Sequence, residues 1–308
     1  MFDETLITAL LVGAIAASVP LMLAGIGELI SERAGVLNVG LEGMMLMGAY
    51  GGFWVAIETG SVWLGFIGGA AAGALASLLM VFLCVRWGLD QIVVGIGILL
   101  GAEGLTSLLD AVTFADTRPR IGRPARVDIP GLSDIPVAGR AVFGEPYMVY
   151  VTLLVVAVAG WVLWKTPWGL AIRATGERPE AVDAAGVNVV VVRSLAVLSA
   201  GVLGGLGGAY LSLVSAGNFI PMMTGGRGFM AIVLAMLARG RPLLLAAGAL
   251  LFGFATAGTT ALQLFGVEVR PELVNSLPFA VVLAVLVLFG RNEFLPSALA
   301  LPYVRGER

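Results

Sequence analysis

Histidine is absent from this 308-residue chain, cysteine occurs once as Cys84, and lysine once as Lys165. Each gap removes a class of chemistry. Without histidine there is no Ser-His-Asp triad and no histidine-based metal site. One cysteine cannot close an intrachain disulfide, and Cys84 lies in an apolar run, where it reads as a small buried hydrophobe. Lys165 is followed by Thr166 and Pro167 and lacks the glycine-rich approach of a phosphate loop, so the chain is no Walker-type ATPase. Any ATP that drives it is hydrolysed on another subunit. The reading is non-enzymatic, with no metal site and no cofactor in this chain.

Charge is also scarce. Charged residues make up 12% of the chain and apolar residues 59%, and the mean hydropathy is +0.99. The bilayer is therefore the expected solvent, and the protein an integral membrane protein in contact with lipid. With 18 basic and 20 acidic residues the net charge is -2, which leaves no surface dedicated to nucleic acid.

Long apolar runs are what the chain has instead. The first, 6–23, follows an acidic Met-Phe-Asp-Glu start and lacks a small-residue cleavage site, so it reads as a retained span. Others fall at about 41–57, 61–85, 91–111, 146–164, 194–214, 228–238, 243–265 and 272–290. Most approach the ~20 residues that a helix rising ~1.5 Å per residue needs to cross ~30 Å of hydrocarbon. The expected fold is all-α: one polytopic transmembrane helix bundle over 1–308, with about nine spans and with broken or re-entrant segments.

Arginine and lysine in short loops mark the cytoplasmic side. Placing 165–193 inside puts Arg33, Arg86, Lys165, Arg173, Arg178, Arg193, Arg239, Arg241 and Arg291 inside, with Arg305 and Arg308 of the tail. Arg227, Arg270 and the 112–145 loop are then outside, the N-terminus is outside and the C-terminus cytoplasmic. The outer loop carries Arg118, Arg120, Arg123, Arg126 and Arg140, nearly balanced by Asp116, Asp128, Asp134 and Glu145, and its prolines break helices. It reads as an extracytoplasmic cap or as a docking surface for a soluble partner.

Glycine is abundant, at 43 residues, roughly twice the ~7% of average proteins. Spacings such as Gly65/Gly69/Gly73, Gly97/Gly101, Gly201/Gly205 and Gly204/Gly208 let helices approach closely in lipid. Two other glycine-rich stretches, 28–43 and 215–228, interrupt apolar segments in the two halves of the chain. Interruptions of this kind point to a broken-helix substrate path, with plain surface loops as the alternative. Candidate path residues are polar groups carried in apolar surroundings: Asn38, Glu42, Gln91, Glu103, Asn218 and Asn275, with Thr256, Thr260 and Gln263.

The most distinctive motif is a charged island, Thr175-Gly-Glu-Arg-Pro-Glu-Ala-Val-Asp-Ala-Ala-Gly186. Pro179 suits a first helical turn, Glu180 and Asp183 favour the positive N-terminal end, and Gly186 is a natural stop. A short surface helix is expected, held out as a handle for something in the water.

Glu180, Ala181 and Gly186 resemble the EAA loop of ABC importer permeases, with Val182 in place of the second alanine. Gly35-Val-Leu-Asn-Val-Gly-Leu-Glu-Gly43, the stretch Arg173 to Gly186, and Gly226-Arg-Gly-Phe-Met-Ala-Ile232 look like the branched permease family that imports ribose-type sugars and nucleosides. The first block is closer to the nucleoside branch, which works with basic-membrane-protein-type lipoproteins, and the resemblance covers about residues 6 to 290. It implies a multi-pass permease of the bacterial plasma membrane whose partners are a second related permease, an ATPase with two nucleotide-binding cassettes that holds ATP and Mg, and an extracytoplasmic substrate-binding lipoprotein. In it, Arg178, Pro179, Glu180, Ala181, Asp183 and Gly186 would form the coupling helix. Arg178 stands where nucleoside permeases usually carry Asn, which weakens the helix cap. A secondary transporter or channel would share the glycine-rich spans but has no use for the handle. A membrane-embedded enzyme is disfavoured because no paired acidic motif lies at a membrane face.

Overall fold

The computed structural model describes residues 4–115, 117, 119–122, 138–264, 276, 279–281, 283–284, 287 and 295–303. The run at 272–290 falls largely outside these residues, as do Asn275 and most of the 112–145 loop. The elements are α1 (Glu4–Arg33), α2 (Leu41–Thr59), α3 (Val62–Met80), α4 (Gln91–Thr113), α5 (Ala138–Phe143), α6 (Tyr147–Lys165), α7 (Pro167–Glu177), α8 (Pro179–Ala184), α9 (Val189–Tyr210), α10 (Arg227–Leu237) and α11 (Pro242–Leu264). Six-residue π-helical turns, Val81–Arg86 and Leu211–Ala216, continue α3 and α9.

Six helical segments among the described residues are long and apolar enough to span a membrane: Leu6–Arg33, Val62–Arg86, Gln91–Thr113, Tyr147–Lys165, Val189–Ala216 and Pro242–Ala261. Two of the nine expected runs take other forms. The run at 41–57 becomes α2, whose 19 residues carry Glu42 and Glu58 and are mostly buried among α3, α4 and α9. Its surroundings are protein, so it needs less apolar character than a lipid-facing helix. The run at 228–238 becomes α10, only 11 residues, or roughly 16 Å at ~1.5 Å per residue. That is half a bilayer, and the structure makes it a half-helix.

Glycine sets the centre of the bundle. A Cβ on Gly205 of α9 would overlap the Gly69 carbonyl of α3, and one on Gly73 would overlap the Gly201 carbonyl. Gly48 of α2 meets the backbone of Gly205 in the same way. Three helices thus touch backbone to backbone, which no larger residue permits and which dispersion forces favour in lipid. Gly97 and Gly101 of α4 differ: nothing lies within 4 Å of a Cβ built on either. Their face, with Val93, Leu100 and Leu108, is exposed.

This contrast is measurable. Gly205→Leu should destabilise the detergent-solubilised protein by about 3 kcal/mol or more, at the top of the overpacking range. Gly101→Leu should leave its melting temperature within the scatter of the parent, as read by thermal denaturation followed by size-exclusion chromatography.

Candidate functional site

The break between α1 and α2 frees backbone amides that hydrocarbon cannot satisfy, and those of residues 34–38 receive named partners. Ala34 N–H donates to the Ile30 and Ser31 carbonyls, Gly35 N–H to Glu32, and Val36 N–H to Ser31. Beyond these, side chains take over. Leu37 N–H donates to Gln91 Oε1 at 2.8 Å, and Asn38 N–H to Glu28 Oε1 at 3.0 Å. Gly35 has φ +88, and a Cβ there would press on Arg193 Nη2 at 2.9 Å, so both its conformation and its space call for glycine. Asn38 is fully buried, its Nδ2 lies 3.3 Å from Met44 Sδ, and its Oδ1 has no partner among the described residues.

The second break meets the first at Glu42. One carboxylate oxygen accepts from Gly226 N–H at 2.8 Å and the other from Gly228 N–H. Both amides belong to the N-terminus of α10, where Gly226 is the cap residue and offers no side chain. A buried carboxylate is tolerated there because it replaces the missing cap and faces the positive end of the helix dipole. The intervening segment also packs on α2, with the Phe219 ring edge-on to Tyr50 at 5.3 Å. Thus the interrupted segments of the two halves are in contact through Glu42.

The predicted path residues divide on this geometry. Asn38 and Glu42 lie at the paired breaks. Gln91 is also buried, but its side chain is spent on closing the α1–α2 elbow. Glu103 is half-buried on α4, and Asn218 is half-buried beside Gly217, whose carbonyl accepts from Ile121 N–H at 2.8 Å. Neither is drawn into the Glu42 contact.

On the elbow side, two arginines bind backbone carbonyls. Arg193 donates from Nε to Ala34 at 3.2 Å, from Nη1 to Leu301 at 2.9 Å and from Nη2 to Ala298 at 3.5 Å. Arg33 donates from Nη2 to the Arg239 carbonyl. Ala298 N–H in turn donates to Gly176 and Ala300 N–H to Gly35, and Ser297 Oγ donates to Glu177 Oε2 at 3.0 Å. The elbow, the end of α7, the start of α9 and residues 297–301 are therefore one hydrogen-bonded block. Sequence reasoning treated Arg33 and Arg193 as loop charges, whereas both are buried. The signal that could have found them is position: Arg193 falls inside an apolar helix rather than before it.

The charged island folds next to this block. Thr166 caps α7 by accepting from Gly169 N–H at 3.2 Å. Arg178 precedes α8 without a side-chain cap, Pro179 opens it, and Gly186, at φ +85, closes it with hydrogen bonds from Gly186 N–H to Asp183 and Val187 N–H to Val182. Arg178, Glu180 and Ala181 are exposed, Asp183 is half-buried, and Pro179 and Val182 are buried. Between α7 and α8 lies a groove of about 500 Å³ lined by Pro167, Leu170, Ala174, Ala181, Val182 and Val187. An apolar groove rimmed by charge suits a protein ridge more than lipid.

A bundle with an internal half-helix and a helix held out from its face has the architecture of a membrane transport subunit. The family model for the permease component of branched-chain amino acid transport systems matches residues 10–286, and the chain belongs to this permease family. It is 40% identical over 286 residues to a protein of Haloferax volcanii described as a putative glucose ABC transporter permease, covering 90% of this chain and 84% of the relative. It is 33% identical to the guanosine ABC transporter permease protein of Bacillus subtilis, over 94% of each chain. A nucleoside ABC transporter permease protein of Lactococcus lactis subsp. cremoris is also 33% identical, over 94% of this chain and 95% of its own. The protein is thus a multi-pass membrane permease of the ABC class, and that class works with an ATPase and a substrate-binding protein.

Two variants probe the contacts just described. Arg193→Ala should cost about 1.5–3 kcal/mol, the range for hydrogen bonds to a charged group, and should expose 295–303 to limited proteolysis. Arg193→Lys should not restore protection, because one ammonium cannot span three carbonyls. Glu42→Ala should lower stability by about 1–2 kcal/mol through the lost cap, and Glu42→Gln, which keeps an acceptor, should lower it less; thermal denaturation reads both.

Proposed function

We propose that the chain is one permease subunit of an ATP-driven importer for nucleosides, working beside a second related permease. The observation that carries this reading is full-length similarity to guanosine and nucleoside permeases, joined to the exposed α8 and its groove. The 40% identity to a glucose-assigned permease favours ribose-type or other simple sugars as the second reading. Uptake of tritiated guanosine and radiolabelled glucose by proteoliposomes containing the assembled transporter separates the two.

In this reading 165–193 is the cytoplasmic coupling region and α8 is the coupling helix. Arg178, Glu180, Ala181 and Asp183 face the ATPase, Pro179 sets the helix entry, and Gly186 ends it. The ATPase holds ATP and Mg, and its closure moves α8. Because α7 and α9 are bonded to the elbow, that movement carries the α1–α2 break with it. The paired breaks at Asn38, Glu42 and Asn218 then open alternately to an extracytoplasmic binding lipoprotein and to the cytosol. Glu103 and Asn275 complete the path set proposed from sequence, with Gln91 acting on it by holding the elbow. The N-terminus and the 112–145 loop are outside, and the C-terminus is inside. Support for this sidedness comes from the clustering of Arg33, Arg193, Arg239 and residues 297–301 on one side of the bundle.

The lever has a direct test. Glu180→Lys or Gly186→Pro should reduce uptake and transport-linked ATP hydrolysis at least about tenfold, the effect of ~1.4 kcal/mol of lost coupling, at unchanged membrane abundance. Normal uptake in both would remove the coupling role. Sidedness is tested separately: with Cys84→Ala as background, cysteines at Thr59 and Ala184 should react with an impermeant thiol reagent from outside and inside respectively. Reaction of both from one side would overturn the orientation.

A further inference from the structure

A cavity of about 380 Å³ lies between α1, the bend at Glu145–Pro146, the π-helical turn after α9 and the first residue of α10. None of the path residues inferred from sequence lines it. Its size falls within the ~300–1,000 Å³ typical of small-molecule sites. The α1 wall is apolar and shallow, with Gly13, Ala16, Ala17 and Pro20. Glu145, Tyr210, Ser215 and Arg227, from three separate parts of the chain, supply the polar groups.

Tyr210 is the informative residue. It is fully buried, it lines the cavity, and its hydroxyl has no hydrogen-bond partner among the described residues. Burying such a hydroxyl unpaired costs free energy, and phenylalanine would fill the same space without that cost. The hydroxyl is accounted for when a solute pairs with it. Glu145 lies within electrostatic reach of it. Arg227 is held at the cavity edge by donating from Nη1 to the Met223 and Thr224 carbonyls, at 3.2 and 3.0 Å. One carboxylate and one guanidinium leave the lining without net charge, which matches a neutral solute. Small residues on α1 leave room for a flat ring against an apolar surface, while the opposite wall meets hydroxyl groups.

We propose that this cavity is a transit subsite for a neutral, hydroxylated, ring-bearing solute of the nucleoside class, with Tyr210 and Ser215 hydrogen-bonding its hydroxyls and α1 supporting its ring. The proposal rests on the import reading above and assigns it a place. Because Arg227 is also the first residue of α10, the subsite borders the half-helix that Glu42 caps. Movement of that half-helix would change the cavity wall and release the solute.

The assembled transporter in proteoliposomes, with its binding protein and tritiated guanosine, provides the test. Tyr210→Phe keeps the ring and its packing, and should lower maximal uptake about tenfold, as expected for one lost hydrogen bond, while the melting temperature of the solute-free protein does not fall and rises if the unpaired hydroxyl is costly. Independently, Ser215→Cys in the Cys84→Ala background should react with a small thiol reagent, and guanosine delivered by the binding protein should slow that reaction. Protection by guanosine supports the subsite. Absence of protection in a transporter that imports guanosine overturns the subsite, whatever the rate of Tyr210→Phe. Protection by leucine and not by guanosine overturns the nucleoside class in favour of a zwitterion held between Glu145 and Arg227. Failure of the parent transporter to import guanosine overturns the import reading itself.

Discussion

Hydrocarbon offers no hydrogen bonds, so each backbone group released by a broken helix must find its partner inside the protein. Several buried polar residues of this bundle answer to that constraint. Glu28 and Gln91 accept from the elbow after α1, Glu42 accepts from the start of α10, and Arg33 and Arg193 donate to carbonyls at the chain turns. The cost of burying these groups is offset by the amides and carbonyls they satisfy. What remains is a pair of interrupted segments that are fixed in place and joined through a single carboxylate.

The same contacts give the molecule a mechanical layout. Arg193 and residues 297–301 join the elbow to α7 and α9, the helices on either side of α8. The handle is therefore tied to the α1–α2 break by hydrogen bonds rather than by a flexible loop. Deeper in the bundle, backbone contact among Gly48, Gly69, Gly73, Gly201 and Gly205 packs α2, α3 and α9 without intervening side chains. Packed interiors of this density move as blocks more readily than they deform. In the proposed function, a force at α8 would pass to the elbow, and from there through Glu42 to α10 and the cavity beside it.

Much of this was legible in the sequence where the signal was local. Apolar run length located the spans, and the Pro179-to-Gly186 pattern located α8 to within a turn. Asn38 and Glu42 stood out because a polar group within an apolar run must have a partner. The residues that escaped were those whose meaning depends on distant segments. The position of Arg193 inside an apolar helix hints at burial, but what it binds shows only when residues 298 and 301 are placed against it. The half-length of α10 was visible, but its cap comes from a residue 184 positions earlier. The cavity was illegible for the same reason, since Gly13, Glu145, Tyr210 and Arg227 share no sequence neighbourhood.

In the proposed mechanism α8 and the elbow block move together when the ATPase closes. Pulsed electron-spin distance measurement on the assembled transporter tests it, with spin labels at Ala184 and Pro302 in one sample and at Ala184 and Thr59 in another. Between the nucleotide-free and the vanadate-trapped transporter, the Ala184–Pro302 distance should stay constant while the Ala184–Thr59 distance shifts. A change in the Ala184–Pro302 distance as large as that of the other pair, or no change in the Ala184–Thr59 distance, would rule out joint movement of α8 and the elbow.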